Sequence, residues 1–263
     1  MKKFLTIIPL VILLCFLVCL CASTTLAQAK EQKAQLFMVE DISVLPSKVS
    51  DFEAHVKTIQ KFANEYKFPY PIYVYNIDDY SYFYVIPVKD FADIDDFNKA
   101  KMEWIERMGQ ENLMSILKSG EGSYKHLRWF IIRHRPDLSY TSDKPRFKPE
   151  EANFMSIPLC YVKPGKEREF EEICKEWVLH DKSVNRADSY DTFVGDIGTE
   201  MPFYFWVARA KSAADFHKQQ EIYGTKAGEK FMELWNRTMA LFRKYDEKTG
   251  WFRPDLSYIL KEK

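Results

Sequence analysis

Five histidines, His55, His126, His134, His180 and His217, are the side chains here whose charge changes near neutral pH. No two form an H-x-x-x-H or H-E-x-x-H pair, so a helical zinc site is not expected. His126 and His134 lie eight residues apart on one expected strand, too far to share a metal at about 3.3 Å per residue. His134, between Arg133 and Arg135, and His180, followed by Asp181 and Lys182, are the candidates for a catalytic base. Neither has a carboxylate partner fixed by spacing, and a strand-end histidine is ordinarily solvated. Asp188, Asp191 and Asp196 are spread through loop and strand without calcium-loop spacing. A Gly-rich phosphate loop, a G-x-S-x-G elbow and a cysteine with a positioned histidine are all missing. No metal and no cofactor are expected.

The second chemical resource is aromatic: 15 Tyr, 20 Phe and 6 Trp. Tyr73 and Tyr75, Tyr82 and Tyr84, and Tyr204 and Trp206 are pairs two residues apart in expected strands, so each pair shares one face. Lining a cavity, such ladders suit a flat or oily ligand oriented by phenol hydroxyls; filling a core is the competing reading. These six are the expected ligand-binding residues.

The elements that must position them come in two sets. Arg135-Pro136-Asp137-Leu138-Ser139-Tyr140 recurs unchanged as Arg253-Pro254-Asp255-Leu256-Ser257-Tyr258, a shift of 118. Upstream, Phe37-Met38 aligns with Phe154-Met155, Phe52-Glu53 with Phe170-Glu171, and Asp96-Phe97 with Asp215-Phe216. Two modules are therefore expected at 35–140 and 152–258, joined by a polar linker at 141–151 that carries Pro145 and Pro149. The hexapeptide itself reads as a strand exit and turn, since proline fixes its own backbone and pushes its predecessor extended.

Each module opens with a strand, 36–44 or 154–162. Ser50-Asp51-Phe52-Glu53 predicts a capping box for the helix that follows in the first, with Phe52, Val56, Ile59 and Phe62 as its buried stripe. Phe170, Ile173, Cys174 and Trp177 repeat that stripe in the second. Aromatic and β-branched runs at 72–75, 82–88, 192–194 and 203–208 predict strands. Ser212 to Asp215 predicts another helix cap. The spacing of Phe231, Leu234, Trp235, Thr238, Phe242 and Tyr245 predicts a helix reaching nearly to Gly250, and 127–134 reads as the closing strand of the first module. The fold class is α+β: two tandem ferredoxin-like (split βαβ) modules, their antiparallel sheets packed face to face as an intrachain pseudo-dimeric barrel.

Lys2 and Lys3, an apolar run from Phe4 to Ala22 and the site Ala27-Gln28-Ala29 have the plan of a secretory signal peptide at 1–29. The chain is therefore expected to be exported, periplasmic or secreted, and free of the membrane after cleavage; an uncleaved membrane anchor is the competing reading, since the run is about long enough to span a bilayer. Lysine plus arginine balance aspartate plus glutamate at 38 each, so cleavage leaves a net charge near −2 and no basic stripe that a nucleic acid would need. Cys160 and Cys174 remain, as a disulfide or as two buried thiols.

The element order, the tandem arrangement and the entry Val162-Lys163-Pro164-Gly165-Lys166-Glu167-Arg168-Glu169-Phe170 resemble the dimeric α+β barrel superfamily, in its antibiotic-biosynthesis-monooxygenase-like and NIPSNAP-like branches. The resemblance implies activities from cofactor-independent oxygenation through haem chemistry to no catalysis. Length and duplication are similar also to chlorite-dismutase-like haem proteins, but no histidine here matches their axial ligand. The leading expectation is an exported tandem barrel, monomeric or homodimeric, that binds a small, largely apolar molecule between its halves. The alternatives are a cofactor-independent monooxygenase or related small-molecule enzyme, and a non-catalytic structural or protein-interaction module.

Overall fold

The computed structural model describes residues 34–78 and 80–260; the expected signal peptide lies outside them. Eight strands and five helices follow in the order β1 (Leu36–Val44), α1 (Val49–Glu65), β2 (Tyr73–Ile77), β3 (Ser81–Val88), α2 (Ala92–Met108), α3 (Gln110–Gly120), β4 (Tyr124–His134), β5 (Phe154–Val162), α4 (Glu167–Ser183), β6 (Tyr190–Gly195), β7 (Phe203–Ala210), α5 (Ala213–Ala240) and β8 (Phe242–Phe252). No helix among the described residues is long and apolar enough to cross a membrane.

The strands form one closed antiparallel barrel in the order β1-β3-β2-β8-β5-β7-β6-β4. Each strand alternates between an interior face and an outward one, and the helices cover much of the outward side while leaving Leu127 and Trp129 of β4 exposed. In β3, Tyr82, Tyr84, Ile86 and Val88 are buried against the helical layer, while Ser81, Phe83, Val85 and Pro87 face inward. The four strands of each half pair with one another, and the halves then join edge to edge, through β2 with β8 and β4 with β6. The expected face-to-face relation thus exists only across the interior; the actual junction is a hydrogen-bonded ladder, because an uncovered strand edge leaves backbone groups unpaired. The seams share one pairing. At one, inward-facing Ile77 stands opposite Gly250; at the other, Ile132 stands opposite Gly195. A Cβ on Gly250 would meet Ile77 Cδ1 at 2.7 Å and the Asn76 carbonyl oxygen at 2.9 Å, so glycine there makes room for the partner's isoleucine.

Two local expectations need correction. The Ser50 capping box does not form: Pro46 starts a 3-10 turn earlier, α1 begins at Val49 with no side-chain cap, and the Glu53 carboxylate is taken by Arg253. The helix expected to reach Gly250 ends at Ala240, and Phe242–Phe252 is β8. Phe242 and Tyr245 do join the same core as Leu234, but they reach it from a strand. Helical spacing persisted across a boundary because two elements cover one core. The Ser212 cap is present, its Oγ accepting from the Asp215 N–H at 3.1 Å. Cys160 and Cys174 are separate buried thiols.

The repeated hexapeptide closes the barrel. After β4, residues 135–140 run on beside β6, with Arg135 N–H donating to the Thr192 carbonyl and Tyr140 pairing with Tyr190. After β8, Arg253 N–H donates to Val74 and Tyr258 pairs with Ile72. Each copy therefore inserts into the other half. Leu138 is fully buried in the core of Phe170 and Leu234, and Leu256 in that of Phe52 and Val56. Ser139 Oγ accepts from Thr192 N–H at 2.8 Å, and Ser257 Oγ from Val74 N–H at 2.9 Å. Arg135 grips Asp137 and makes a two-pronged bond to Glu171 of α4, 2.7 and 2.9 Å. Arg253 does the same with Asp255 and with Glu53 of α1. Tyr204 and Tyr82 donate their hydroxyls to those same glutamates at 2.8 and 2.7 Å.

The arginine bonds hold the Glu53 and Glu171 carboxyls below the usual carboxylate range, with the tyrosine hydroxyls adding to the effect. A depressed acid stabilises the fold fully above its unfolded pKa, about 4.3, and loses that contribution as pH falls through the folded value. Arg253→Gln and Arg135→Gln should each cost about 2 kcal/mol of stability at pH 7, as for charge-assisted bonds that are mostly shielded. In urea titrations repeated near pH 3 the cost should shrink; a penalty equal at both values would count against the ion pair as its source.

Candidate functional site

The inward faces enclose a cavity of about 670 Å³. Its middle is an apolar belt built from the alternate residues of every wall. Phe37 meets Phe193 edge-on with ring centres 6.0 Å apart, Phe193 stacks on Phe205 at 5.0 Å, and Phe83 meets Phe130 at 6.2 Å. Val39, Val85, Ile132, Ile157 and Val207 fill the spaces between the rings.

Polar groups sit towards the ends. On one wall Arg128 Nε donates to Asp41 Oδ2 at 2.8 Å, and farther along Glu200 is held by Arg243 at 2.6 Å. The other end, where β4 and β7 finish and β2 and β6 begin, carries His134, Asp191 and Arg209. His134 Nε2 lies 3.2 Å from Asp191 Oδ1 and 3.3 Å from Ser139 Oγ, and its ring packs on Phe193 at 5.2 Å. The imidazole is about three-quarters shielded and faces the cavity: its side chain is 24% exposed. A histidine oriented by a carboxylate at the edge of an apolar space can accept a proton from a bound molecule, with the carboxylate stabilising the imidazolium formed. Arg209 lines the same end; its hydrogen bond goes to the thioether of Met155 at 3.9 Å.

The barrel's internal correspondence makes this cluster stand out. His134 pairs with Phe193 across one seam as Phe252 pairs with Tyr75 across the other. Asp191 faces Val207 as Tyr73 faces Val85, and Arg209 faces Met155 as Pro87 faces Phe37, so in the barrel Phe37 corresponds to Met155 and not, as expected from the sequence, to Phe154. At these matching places the barrel thus carries charged or ionisable His, Asp and Arg beside one seam and Phe, Tyr and Pro beside the other.

Of the six aromatic residues expected to bind a ligand, Tyr73 and Tyr75 line this cavity. Tyr82, Tyr84, Tyr204 and Trp206 point the opposite way, into the sheet–helix layer. Period two says that a pair shares a face but not which face, and here the tyrosine hydroxyls of 82 and 204 are committed to Glu53 and Glu171. Burial pushes both phenols well above their ordinary pKa. Of the two histidines, only His134 reaches the cavity. His180 is buried on α4 against Trp177, with its Nε2 unpartnered. Arg209 and the His134–Asp191 contact were missed in the sequence; the divergence between aligned positions was the signal that pointed to them. Glu40 has its carboxyl raised by burial to about 7, but β1 turns it away from the cavity, since Phe37, Val39 and Asp41 are the inward residues. Among the described residues no group of three or more His, Cys, Asp or Glu is placed to hold a metal ion.

No protein-family model matches the chain, and no curated protein matches it in sequence. Among solved structures it is similar to an anthrone oxidase-like protein, at 12% identity over 85% of this chain and 92% of that one, with a TM-score of 0.56. It is similar to a proposed monooxygenase from Fusobacterium nucleatum subsp. nucleatum ATCC 25586 at 10% identity, 84% and 93% coverage and a TM-score of 0.52. A proposed monooxygenase from Lactobacillus acidophilus NCFM matches at 8% identity, 84% and 94% coverage and a TM-score of 0.50. Identities this low speak for architecture alone: the chain shares with these proteins an α+β fold, here built on a closed eight-stranded antiparallel barrel.

Proposed function

We propose that this chain is an exported protein, built from two tandem ferredoxin-like modules at 35–140 and 152–258, that binds a small, largely apolar molecule inside its barrel. The observation that carries the reading is the cavity: about 670 Å³, within the roughly 300–1,000 Å³ of small-molecule sites, with an apolar belt and few convergent polar groups. The unchanged hexapeptide and its equivalent role in both halves support the duplication. Neutral N-phenyl-1-naphthylamine should bind saturably with a blue-shifted emission. Val207→Trp, which fills the belt, should weaken it at least ~10-fold while circular dichroism stays native. A linear, non-saturating signal, or a Val207→Trp protein that binds as well as the parent, would remove the reading. Export rests on the N-terminal pattern; protein recovered from the host's envelope or medium should begin at Gln28 or Lys30, and a retained Met1 would contradict cleavage.

The His134–Asp191 contact favours a second reading, cofactor-independent oxygenation. In it His134 takes a proton from an acidic C–H of the bound molecule, and dioxygen is the oxidant that accepts the electrons left behind. The likeness to an anthrone oxidase-like protein makes anthrone a sensible probe. Oxygen uptake with anthrone should fall ~100-fold or more in His134→Gln, the scale of a lost general base. Uptake no faster than in protein-free buffer would leave binding as the activity.

A further inference from the structure

Resting on the binding reading above, we propose that the molecule taken into the barrel carries an anionic group beside a flat apolar body, and that Arg209 binds that group. The charges lining the cavity are otherwise largely committed. Arg128 is held by Asp41, Glu200 by Arg243, and Asp191 by His134. Asp246 accepts from the Glu247 N–H, and Lys248, the other lining cation, is also engaged. Among the described residues Arg209 forms no ion pair; its bond to the Met155 sulfur occupies one of five guanidinium donors with a weak acceptor.

A guanidinium cannot escape its situation by losing a proton. Half-buried at the edge of an aromatic belt, it loses hydration without gaining a counter-ion, which is unfavourable unless a ligand supplies one. A carboxylate or sulfonate matches its fork with two parallel bonds. Asp191 lies near, on the neighbouring strand opposite Val207, yet makes no ion pair with Arg209. The corresponding place beside the other seam is Pro87, so at this pair of matching positions only one side carries a charge. A bound molecule would therefore sit with its acidic group towards β7 and its rings across Phe193, Phe205 and Phe37, within reach of Tyr73 and Tyr75.

A matched pair of probes separates this from simple apolar binding: 1-anilinonaphthalene-8-sulfonate, and N-phenyl-1-naphthylamine, the same ring system without the sulfonate. Arg209→Gln should weaken the sulfonate ~10-fold or more and change the neutral probe less than about 2-fold. Arg209→Lys, which keeps the charge but not the fork, should fall between. Equal losses for both probes, or sulfonate binding untouched by Arg209→Gln, would overturn the anion assignment while leaving the cavity reading intact. Failure of the parent protein to bind the neutral probe would sink the cavity reading itself. The neutral probe also reports folding, since a variant that retains it retains the barrel.

Discussion

Each half of this molecule is closed by the end of the other. The strand that completes one sheet runs past its own half, pairs across a seam, and places a leucine in the opposite core and an arginine on the opposite helix. This exchange is what holds the barrel shut. Without it β2 and β6 would present bare edges, and the inward faces would open to water. Leu138 and Leu256 are almost completely buried, so neither half has a complete core alone.

Closure then determines what the interior can be. Eight strands wide, the barrel has one face covered by helices, and its other face can be satisfied only by filling or by a ligand. Its inward side chains do not fill the space entirely. At the seams strands pair closely, isoleucine opposite glycine in each, whereas the middle is spanned by rings that meet at 5–6 Å and leave volume between them. Rigid walls around an aromatic-lined space are what a small-molecule site needs, and the walls owe their rigidity to the clasp at each end.

The proposed site lies where the two halves stop matching. Corresponding positions of the two halves carry Phe252, Tyr73 and Pro87 on one side and His134, Asp191 and Arg209 on the other. The structural residues do the reverse. The hexapeptide is unchanged, and the glutamates it grips, Glu53 and Glu171, sit at matching places on α1 and α4. Retained identity marks load shared by both halves, while divergence marks a rim that distinguishes its two sides. A second helical-layer contrast points the same way without forming a site: buried Asp181 bonds Tyr223 at 2.5 Å and Arg186, where the other half packs Phe68 and Trp104.

Much of the architecture was legible in the residues themselves. The repeat, both first strands, both apolar stripes and the cap at Ser212 follow from local spacing, because hydrophobic period and turn chemistry are properties of neighbours along the chain. Three things were not. Glu53 reads as a cap partner but is claimed by Arg253, 200 residues away. Phe242 and Tyr245 continue a helical stripe although they belong to a strand, since two elements cover one core. Tyr82, Tyr84, Tyr204 and Trp206 share faces as expected, yet those faces turn to the helices. Sequence by itself determined which residues travel together: alternation and repetition are encoded locally. Which way each face turns, and that His134, Asp191 and Arg209 meet at one rim, were decided only by the tertiary structure, because barrel closure joins strands from opposite halves and no local interaction specifies that pairing.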